Sequence, residues 1–281
     1  MSSGDQLLLS IWFIAALGIL GLIVGSFLNV VIVRVPVGAS VIRPRSRCPE
    51  CNSVIATRDN IPVISWLILR GRCRNCSHPI SKRYPTVEVF TALVWMGFGW
   101  WGLSTSVPSS WVNPLLPLVL ALSSGLVALF VIDIQWHRLP NVIVYSLYPV
   151  SLIGFSVALI IERGSADLTL LVINSCIGAL LWLGVIGALW LVSRGRAMGL
   201  GDVKLAPVLG AVLGWQSVSS AAIGLMAAFL VGAVTGLSLI AARQAQMRYK
   251  IAFGPFLIIG YSIGLVAGPP LWDWYAGLVK L

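Results

Sequence analysis

Charged residues are scarce in this 281-residue chain, since only 10% of its residues are Asp, Glu, Lys or Arg. An ordinary soluble domain has roughly 25% charged residues, so the composition excludes a soluble globular protein. The chain also lacks the polar, aromatic-poor composition of disordered proteins, and it has no collagen-like period. With 58% hydrophobic residues, the chain is instead predicted to be an all-α polytopic membrane protein.

The first apolar segment does not have the features of a secretory signal peptide. This segment, residues 7–33, is preceded by Asp5 rather than by a basic residue. It is also too long for a signal and does not end in a small-residue cleavage site. We therefore expect it to be a retained first transmembrane helix.

Long apolar runs predict about eight transmembrane helices. They lie near residues 7–33, 86–103, 112–132, 142–161, 168–192, 203–216, 221–241 and 251–269. Several of these runs contain glycines, including Gly25, Gly178, Gly210 and Gly232. We expect these glycines to permit close helix packing rather than to mark a site.

Acidic residues are few, and the basic residues are concentrated in one loop. Ten of the 19 Lys and Arg residues lie between Arg34 and Arg83, where only Glu50 and Asp59 oppose them, so this segment has a net charge of +8. The basic residues flank apolar runs rather than cover one face of a folded domain, so we expect no nucleic-acid partner. The positive-inside rule instead predicts that this loop faces the cytoplasm.

The same orientation accounts for the remaining basic residues. If residues 34–85 are cytoplasmic, 17 of the 19 basic residues are cytoplasmic, and only Arg163 and Lys280 are not. The cytoplasmic set outside the loop consists of Arg138, Arg194, Arg196, Lys204, Arg243, Arg248 and Lys250. We therefore predict a first transmembrane helix in 1–33, a cytoplasmic loop in 34–85 and a transmembrane core in 86–281.

Four of the five cysteines form two CxxC pairs that are separated by 21 residues. They are Cys48 and Cys51, and Cys73 and Cys76. Four thiolates at this spacing predict a closed, tetrahedral site for a structural Zn²⁺ ion. Two disulfides are the alternative, which a reducing cytoplasmic face disfavours. His78 is near enough in sequence to replace a ligand, although four cysteines suffice, and Cys176 is expected to be a packing residue.

Two aspartates follow apolar runs: Asp133 in IDIQWHRLPN and Asp202 in MGLGDVKL. Because two predicted crossings separate them, both should lie at one membrane face, which is also the face of the cysteine loop. Ionisable residues within membrane segments are rare and usually functional. Each aspartate also has a structural alternative: Asp202 would suit an N-cap of the sixth span, and Asp133 would suit a pair with His137 or Arg138.

A pair of neighbouring carboxyl groups would have a specific chemistry. Two carboxylates in close contact do not both ionise, so one stays protonated while the other acts as a base. Such a pair can activate water and protonate a carbonyl oxygen. The glycines before Asp202 would let a substrate backbone approach closely. The two aspartates are therefore candidates for acid–base catalysis at a carbonyl group.

Several segments together resemble the type IV prepilin peptidases. They are GSFLNVVIVRVP (25–36), CPEC (48–51), CRNC (73–76), NIPVISWLILRGRC (60–73), ISKRYPTVE (80–88), DIQWHRLPN (133–141), MGLGDVK (198–204) and FGPF (253–256). They occur in the family's order and are distributed between residues 25 and 256, so the match extends over most of the chain. Two positions depart from the pattern, because Gln135 and Asn141 stand where the family often has acidic residues.

The resemblance implies a bifunctional enzyme of the bacterial inner membrane. A GxGD-type aspartic peptidase would cut the basic leader of prepilins or pseudopilins after a glycine, and an N-methyltransferase would modify the new terminal amine with S-adenosylmethionine. By position, the resemblance assigns catalysis to Asp133 and Asp202, and substrate positioning to Gly199, Gly201 and Lys204. The four CxxC cysteines match the metal-binding tetrad of the methyltransferase loop. Prepilins and the lipid bilayer are the implied partners.

Two other function classes stay open. A transporter or channel could bind cations at Asp133 and Asp202 and use the cysteine loop as a zinc-ribbon docking module. The chain has no internal repeat, however, and transporter folds often have two related halves. A membrane methyltransferase without proteolysis would make both aspartates dispensable. The 34–85 loop has no Gly-rich Rossmann fingerprint, so methylation is implied by the resemblance alone and the S-adenosylmethionine-binding residues are not identified.

Overall fold

The structure, a computed structural model, describes residues 3–105, 112–163, 167–196, 198–242 and 252–279. Within these ranges it contains nine α-helices and no β-strand. The helices are α1 (Ser3–Arg34), α2 (Ile64–Ile68), α3 (Arg83–Ser104), α4 (Leu116–Trp136), α5 (Asn141–Ile161), α6 (Leu168–Ser193), α7 (Leu200–Gln216), α8 (Val218–Ala241) and α9 (Gly254–Val279). The prediction of an all-α fold is confirmed.

Every predicted span overlaps one of the long helices. Six of the described helices are long and apolar enough to cross a membrane: α1, α4, α5, α6, α8 and α9. The predicted spans 86–103 and 203–216 fall on α3 and α7, which are not in this set. The protein is therefore a multi-pass membrane protein, and the number of eight crossings stays a prediction.

The positions of the helices do not show which loops face the cytoplasm. Four of the basic residues that the charge argument uses lie outside the described residues. They are Arg243, Arg248, Lys250 and Lys280. The cytoplasmic orientation of the 34–85 loop stays a prediction.

The chain divides into two compact units, Met1–Ala128 and Leu129–Leu281. In the first unit, α1 packs along α3. A Cβ atom added to Gly21 would lie 2.7 Å from the Cα of Ala92, and one added to Gly25 would lie 2.7 Å from the Cα of Glu88. Only glycine allows two helix backbones to approach this closely. The packing role predicted for Gly25 is confirmed.

In the second unit, α7 contacts α5, α6, α8 and α9. Most of its residues are buried. Between α6 and α7, a Cβ atom added to Gly178 would overlap the carbonyl oxygen of Gly210, and the reverse is also true. The packing roles predicted for both glycines are confirmed. A Cβ atom added to Gly232 would lie 3.3 Å from two phenylalanine rings, which is a looser contact.

Local sequence explains where three helices of this unit begin. The side chain of Asp167 accepts hydrogen bonds from the first free backbone N–H groups of α6. The hydroxyl of Ser217 accepts one at the start of α8, and Gly199 is the N-cap of α7. The start of α7 therefore places Asp202 at one end of the central helix of the unit.

Candidate active site

Asp133 lies in the last turn of α4, and Asp202 lies in the first turn of α7. Both belong to the second unit, and both are buried, at about 5% exposure each. Their carboxyl groups are close enough to interact electrostatically. The structure thus brings together the two aspartates that the sequence analysis selected, while their catalytic role stays a prediction.

The two carboxyl oxygens of Asp202 have different surroundings. Oδ2 accepts a hydrogen bond of 3.0 Å from the backbone N–H of Gly199. Because Gly199 is the N-cap of α7 and Asp202 is the third residue of the helix, the alternative that Asp202 is the N-cap is wrong. Oδ1 is buried and has no hydrogen-bond partner among the described residues. Since an unpaired buried oxygen is costly, this atom favours a site that receives a polar group.

Asp133 is held by the start of α9. The backbone of Gly254, the first residue of α9, lies against the carboxylate of Asp133. A Cβ atom added to Gly254 would lie 2.6 Å from Oδ2 of Asp133, so only glycine fits without moving the carboxylate. His137 interacts electrostatically with Asp133, but among the described residues Asp133 forms no ion pair with His137 or Arg138. The pairing that the structural alternative expected is therefore not present there.

Leu139 lies between the starts of α7 and α9. A Cβ atom added to Gly201 would lie 2.8 Å from the Cβ of Leu139, and one added to Gly254 would lie 3.3 Å from its Cδ2. Gly201 thus packs against an apolar side chain. No sequence pattern predicted a role for Leu139 or Gly254. The available signal was the Gly-Pro pair of the FGPF segment, which is typical of a helix start.

Lys204 connects the start of α7 to α5. Its Nζ donates a hydrogen bond of 3.0 Å to Oδ1 of Asn141 and lies 5.1 Å from the ring centre of Tyr145. The hydroxyl of Tyr148 donates a hydrogen bond of 2.7 Å to the backbone carbonyl of Lys204. These contacts position the turn that carries Asp202.

The four CxxC cysteines form one cluster in the first unit, and their Sγ atoms all lie within 4.8 Å of one another. The Sγ atoms of Cys48 and Cys76 are 3.7 Å apart, and those of Cys51 and Cys73 are 4.0 Å apart. All four are free thiols. A tetrahedral zinc ion with Zn–S bonds of about 2.3 Å separates its sulfur ligands by about 3.8 Å. The donor set therefore fits a metal ion of this kind.

The two CxxC turns have the same backbone conformation. In each turn, the N–H of the first cysteine donates to the carbonyl oxygen five residues later, at 3.0 Å for Cys48 and 2.8 Å for Cys73. The residue after the second cysteine has a positive φ in both, 56° at Asn52 and 57° at Ser77. In each CxxC pair, this turn directs both thiols towards the centre of the cluster.

Two residues that follow the CxxC pairs in sequence, Ser53 and His78, concern which groups would bind the metal. The hydroxyl of Ser53 lies 2.9 Å from the Sγ of Cys51, and the side-chain and backbone hydrogen bonds of Ser53 lower the pKa of this thiol to about 6. The thiolate is the form that binds metal ions. His78 does not belong to the cluster, and its Nε2 lies 3.7 Å from the carboxylate of Glu50. The described ligand set is thus four cysteines.

Comparisons with known proteins cover most of the chain. Residues 19–101 match the bacterial peptidase A24 N-terminal domain, and residues 120–240 match the type IV leader peptidase family. These segments contain the cysteine cluster and both aspartates. No solved structure gave a significant match.

Several curated relatives share one name, prepilin leader peptidase/N-methyltransferase. The relative from Aeromonas hydrophila is 35% identical in an alignment that covers 90% of both chains. The relative from Stutzerimonas stutzeri is 34% identical in an alignment that covers 96% of both chains. The relative from Pseudomonas aeruginosa is 32% identical in an alignment that covers 91% of both chains. The chain therefore belongs to the type IV leader peptidase family.

Proposed function

We propose that this protein cleaves the leader peptide of type IV prepilins or pseudopilins after a glycine, at the cytoplasmic face of the bacterial inner membrane, and then N-methylates the new N-terminal residue. The observation that carries the proposal is the buried, interacting pair of Asp133 and Asp202. Relatives that are 32–35% identical have both activities in their names. This kinship favours an enzyme over the transporter alternative.

In the proposed cleavage, Asp133 and Asp202 share one proton. The ionised carboxylate removes a proton from a water molecule, whose oxygen attacks the carbonyl carbon of the scissile bond, while the protonated partner donates its proton to the carbonyl oxygen. The tetrahedral intermediate then breaks its C–N bond. The leaving amine takes up the proton that the base received, and a hydroxyl group of the intermediate returns its proton to the carboxylate that acted as the acid, which restores the starting pair. Oδ1 of Asp202, which has no hydrogen-bond partner among the described residues, is the oxygen that would face the substrate.

The position of the pair suits a membrane-anchored substrate. A prepilin has a basic leader outside the bilayer and an apolar helix inside it, so the bond between them lies at the membrane interface. Asp133 and Asp202 lie at helix ends, where such a bond would be reached. Among the described residues, a Cβ atom on Gly199 would meet only Asp202 and the Gly201 backbone within 4 Å, which leaves room for a substrate backbone.

The metal and the methyl donor have separate roles in this proposal. One Zn²⁺ bound by the four cysteines would hold the two CxxC turns together, and four thiolates leave no open position for a catalytic water. S-adenosylmethionine would supply the methyl group. Recognition of a ribose ordinarily uses an acidic residue, and the described cleft beside Cys73 has none in its lining. We therefore assign no residue to this donor.

The proposal is tested by replacing each aspartate with asparagine, which keeps the size of the side chain but removes the shared proton. Asp133→Asn and Asp202→Asn should each abolish cleavage of a purified prepilin in liposomes, and the double variant should be hardly worse than either single variant. The wild-type pH–rate profile should be bell-shaped and should report the pair as a unit. Chelators should leave cleavage largely intact.

Two further variants complete the experiment. Asp167→Asn is the matched control, because Asp167 is an exposed helix cap of the same unit and asparagine also caps helices. Lys204→Ala should weaken cleavage through loss of its contacts to α5, without abolishing it. Substantial cleavage by a folded, metal-loaded Asp133→Asn or Asp202→Asn protein would refute the mechanism.

A further inference from the structure

The short helix α2 belongs to the basic loop and begins beside α3, which packs along the candidate membrane helix α1. The backbone N–H of Val63, directly before α2, donates a hydrogen bond of 2.7 Å to Oε2 of Glu88 on α3. Glu88 is 7% exposed, and its Cα would be 2.7 Å from a Cβ atom added to Gly25 of α1. Gly25 lies well inside the candidate membrane span Gly4–Val37. The start of α2 is therefore held close to the membrane-embedded part of the first unit.

One face of α2 exposes large apolar side chains. Ile64, Leu67 and Ile68 are 53%, 60% and 71% exposed. Their i, i+3, i+4 spacing places them on a single helix face, which we call the α2 stripe. On another face, Ser65 is buried and Trp66 donates a hydrogen bond to the backbone carbonyl of Ile80. An exposed apolar face at this position is typical of an element that contacts lipid.

A cleft of about 570 Å³ adjoins the α2 stripe. Its lining consists of Ile68, Leu69, Arg70, Arg72, Cys73, Arg74 and Ser77. The guanidinium group of Arg74 forms an ion pair with Asp59, at distances of 2.6 to 3.1 Å. Arg70 and Arg72 are exposed, and within the described part of the chain neither has a carboxylate partner. Two free guanidinium groups in a cleft are suited to bind a phosphate group.

We propose that the α2 stripe and this cleft form a docking site for anionic phospholipid of the membrane surface. The stripe inserts among the acyl chains, while Arg70 and Arg72 bind the headgroup phosphate. Charge complementarity selects this occupant, because a loop with a net charge of +8 attracts an anionic lipid surface and repels the basic leader of a prepilin. The site uses none of the residues proposed for cleavage, and it does not depend on that mechanism.

Photo-crosslinking of the full-length protein tests the apolar part of the site. Benzoyl-phenylalanine is introduced at Leu67, or at Ile42 as a control that is 83% exposed in the same loop but lies outside the stripe. In nanodiscs of phosphatidylglycerol, we expect a lipid adduct in the mass spectrum at position 67 and a much weaker one at position 42. Equal adducts at both positions, or an adduct at position 67 with added prepilin in place of lipid, would overturn the proposal.

Native mass spectrometry tests the arginines. The double variant Arg70→Gln/Arg72→Gln should bind phosphatidylglycerol more weakly, by about fivefold for each arginine removed. Arg43→Gln/Arg45→Gln removes the same charge from exposed positions outside the cleft and should change binding little. The bound metal is measured in every variant as a check that the loop is folded.

Two further ligands distinguish the sources of the phosphate. Phosphatidylcholine should bind more weakly than phosphatidylglycerol, and millimolar inorganic phosphate should not displace the lipid, because it lacks the acyl chains that contact the stripe. If the Arg70→Gln/Arg72→Gln and Arg43→Gln/Arg45→Gln variants lose lipid binding equally, the binding depends on the net charge of the loop and not on the cleft. That result would refute the site. Complete displacement by inorganic phosphate would show a site for a soluble anion instead.

Discussion

The start of α9 lies against the carboxylate of Asp133, and the absence of a side chain at Gly254 allows this close approach. A Cβ atom there would lie 2.6 Å from Oδ2 of Asp133, and 3.3 Å from Leu139. The carboxylate would have to move by a substantial part of an ångström to accommodate it. The geometry of a catalytic pair tolerates such a displacement poorly, because misplacement by 1 Å can lower a rate by about 100-fold.

Gly254→Ala should therefore lower the rate of prepilin cleavage by about 100-fold, with a smaller effect on stability. The measurement is kcat for a purified prepilin in liposomes. Gly184→Ala is the matched control, because a Cβ atom at Gly184 of α6 would meet none of the described residues within 4 Å. Full activity of the Gly254→Ala protein would show that the contact with Asp133 does not serve the reaction.

At the scale of elements, the position of α7 depends on its glycine contact with α6. A Cβ atom added to Gly210 would overlap the carbonyl oxygen of Gly178 and lie 2.9 Å from the Cβ of Trp182. Both neighbours are parts of packed helices and have little freedom to move. Asp202 is carried by the same helix, so a shift of α7 would also disturb the carboxyl pair.

Gly210→Ala should destabilise the protein by about 1–3 kcal/mol, as overpacking of a helix contact usually does. It should also reduce cleavage, because α7 positions Asp202. The stability is measured as Tm in detergent, with Gly184→Ala again as a glycine replacement that meets no neighbour. An unchanged Tm for Gly210→Ala would contradict the close packing of α6 and α7.

Single substitutions also test the metal-binding role of the two CxxC turns. Purified protein should contain about one zinc per chain, and Cys48→Ser or Cys73→Ser should lose it and unfold the loop, since metal binding and folding are coupled in such sites. Methylation should fall more than cleavage. Cys176→Ser is the matched control, because Cys176 lies outside the cluster. Protein prepared without chelators that contains no zinc would refute the assignment.

At the scale of the whole molecule, the distribution of basic residues predicts one orientation in the membrane. Reporter fusions after Arg83, Arg196 and Lys250 should report a cytoplasmic position, and fusions after Ser106 and Leu281 an extracytoplasmic one. Lys250, Ser106 and Leu281 lie outside the described residues, so these fusions test the charge argument directly. A 34–85 loop that is accessible from outside the cell would overturn the cytoplasmic active site and the preference for zinc over disulfides.

Features that depend on composition or on short spacing could be predicted from the sequence. The scarcity of charged residues predicts membrane helices, because the bilayer interior excludes charged side chains. This prediction does not require knowledge of which helices pack together. A CxxC turn brings its two thiols together by local geometry, so the clustering of Cys48, Cys51, Cys73 and Cys76 follows once both turns meet. The shared membrane face of Asp133 and Asp202 follows from counting crossings. Their roles in catalysis stay predictions.

Contacts between distant segments were decided only by the tertiary structure. Gly254 is far from Asp133 in sequence, and apolar runs of similar composition do not specify which helix start packs against which helix end. The same holds for Leu139 between Gly201 and Gly254, and for the hydrogen bond from Val63 to Glu88. Sequence alone therefore determined the class of protein and its candidate chemical groups. The packing of helices decided how these groups are held, because it depends on side-chain shape along whole helix faces.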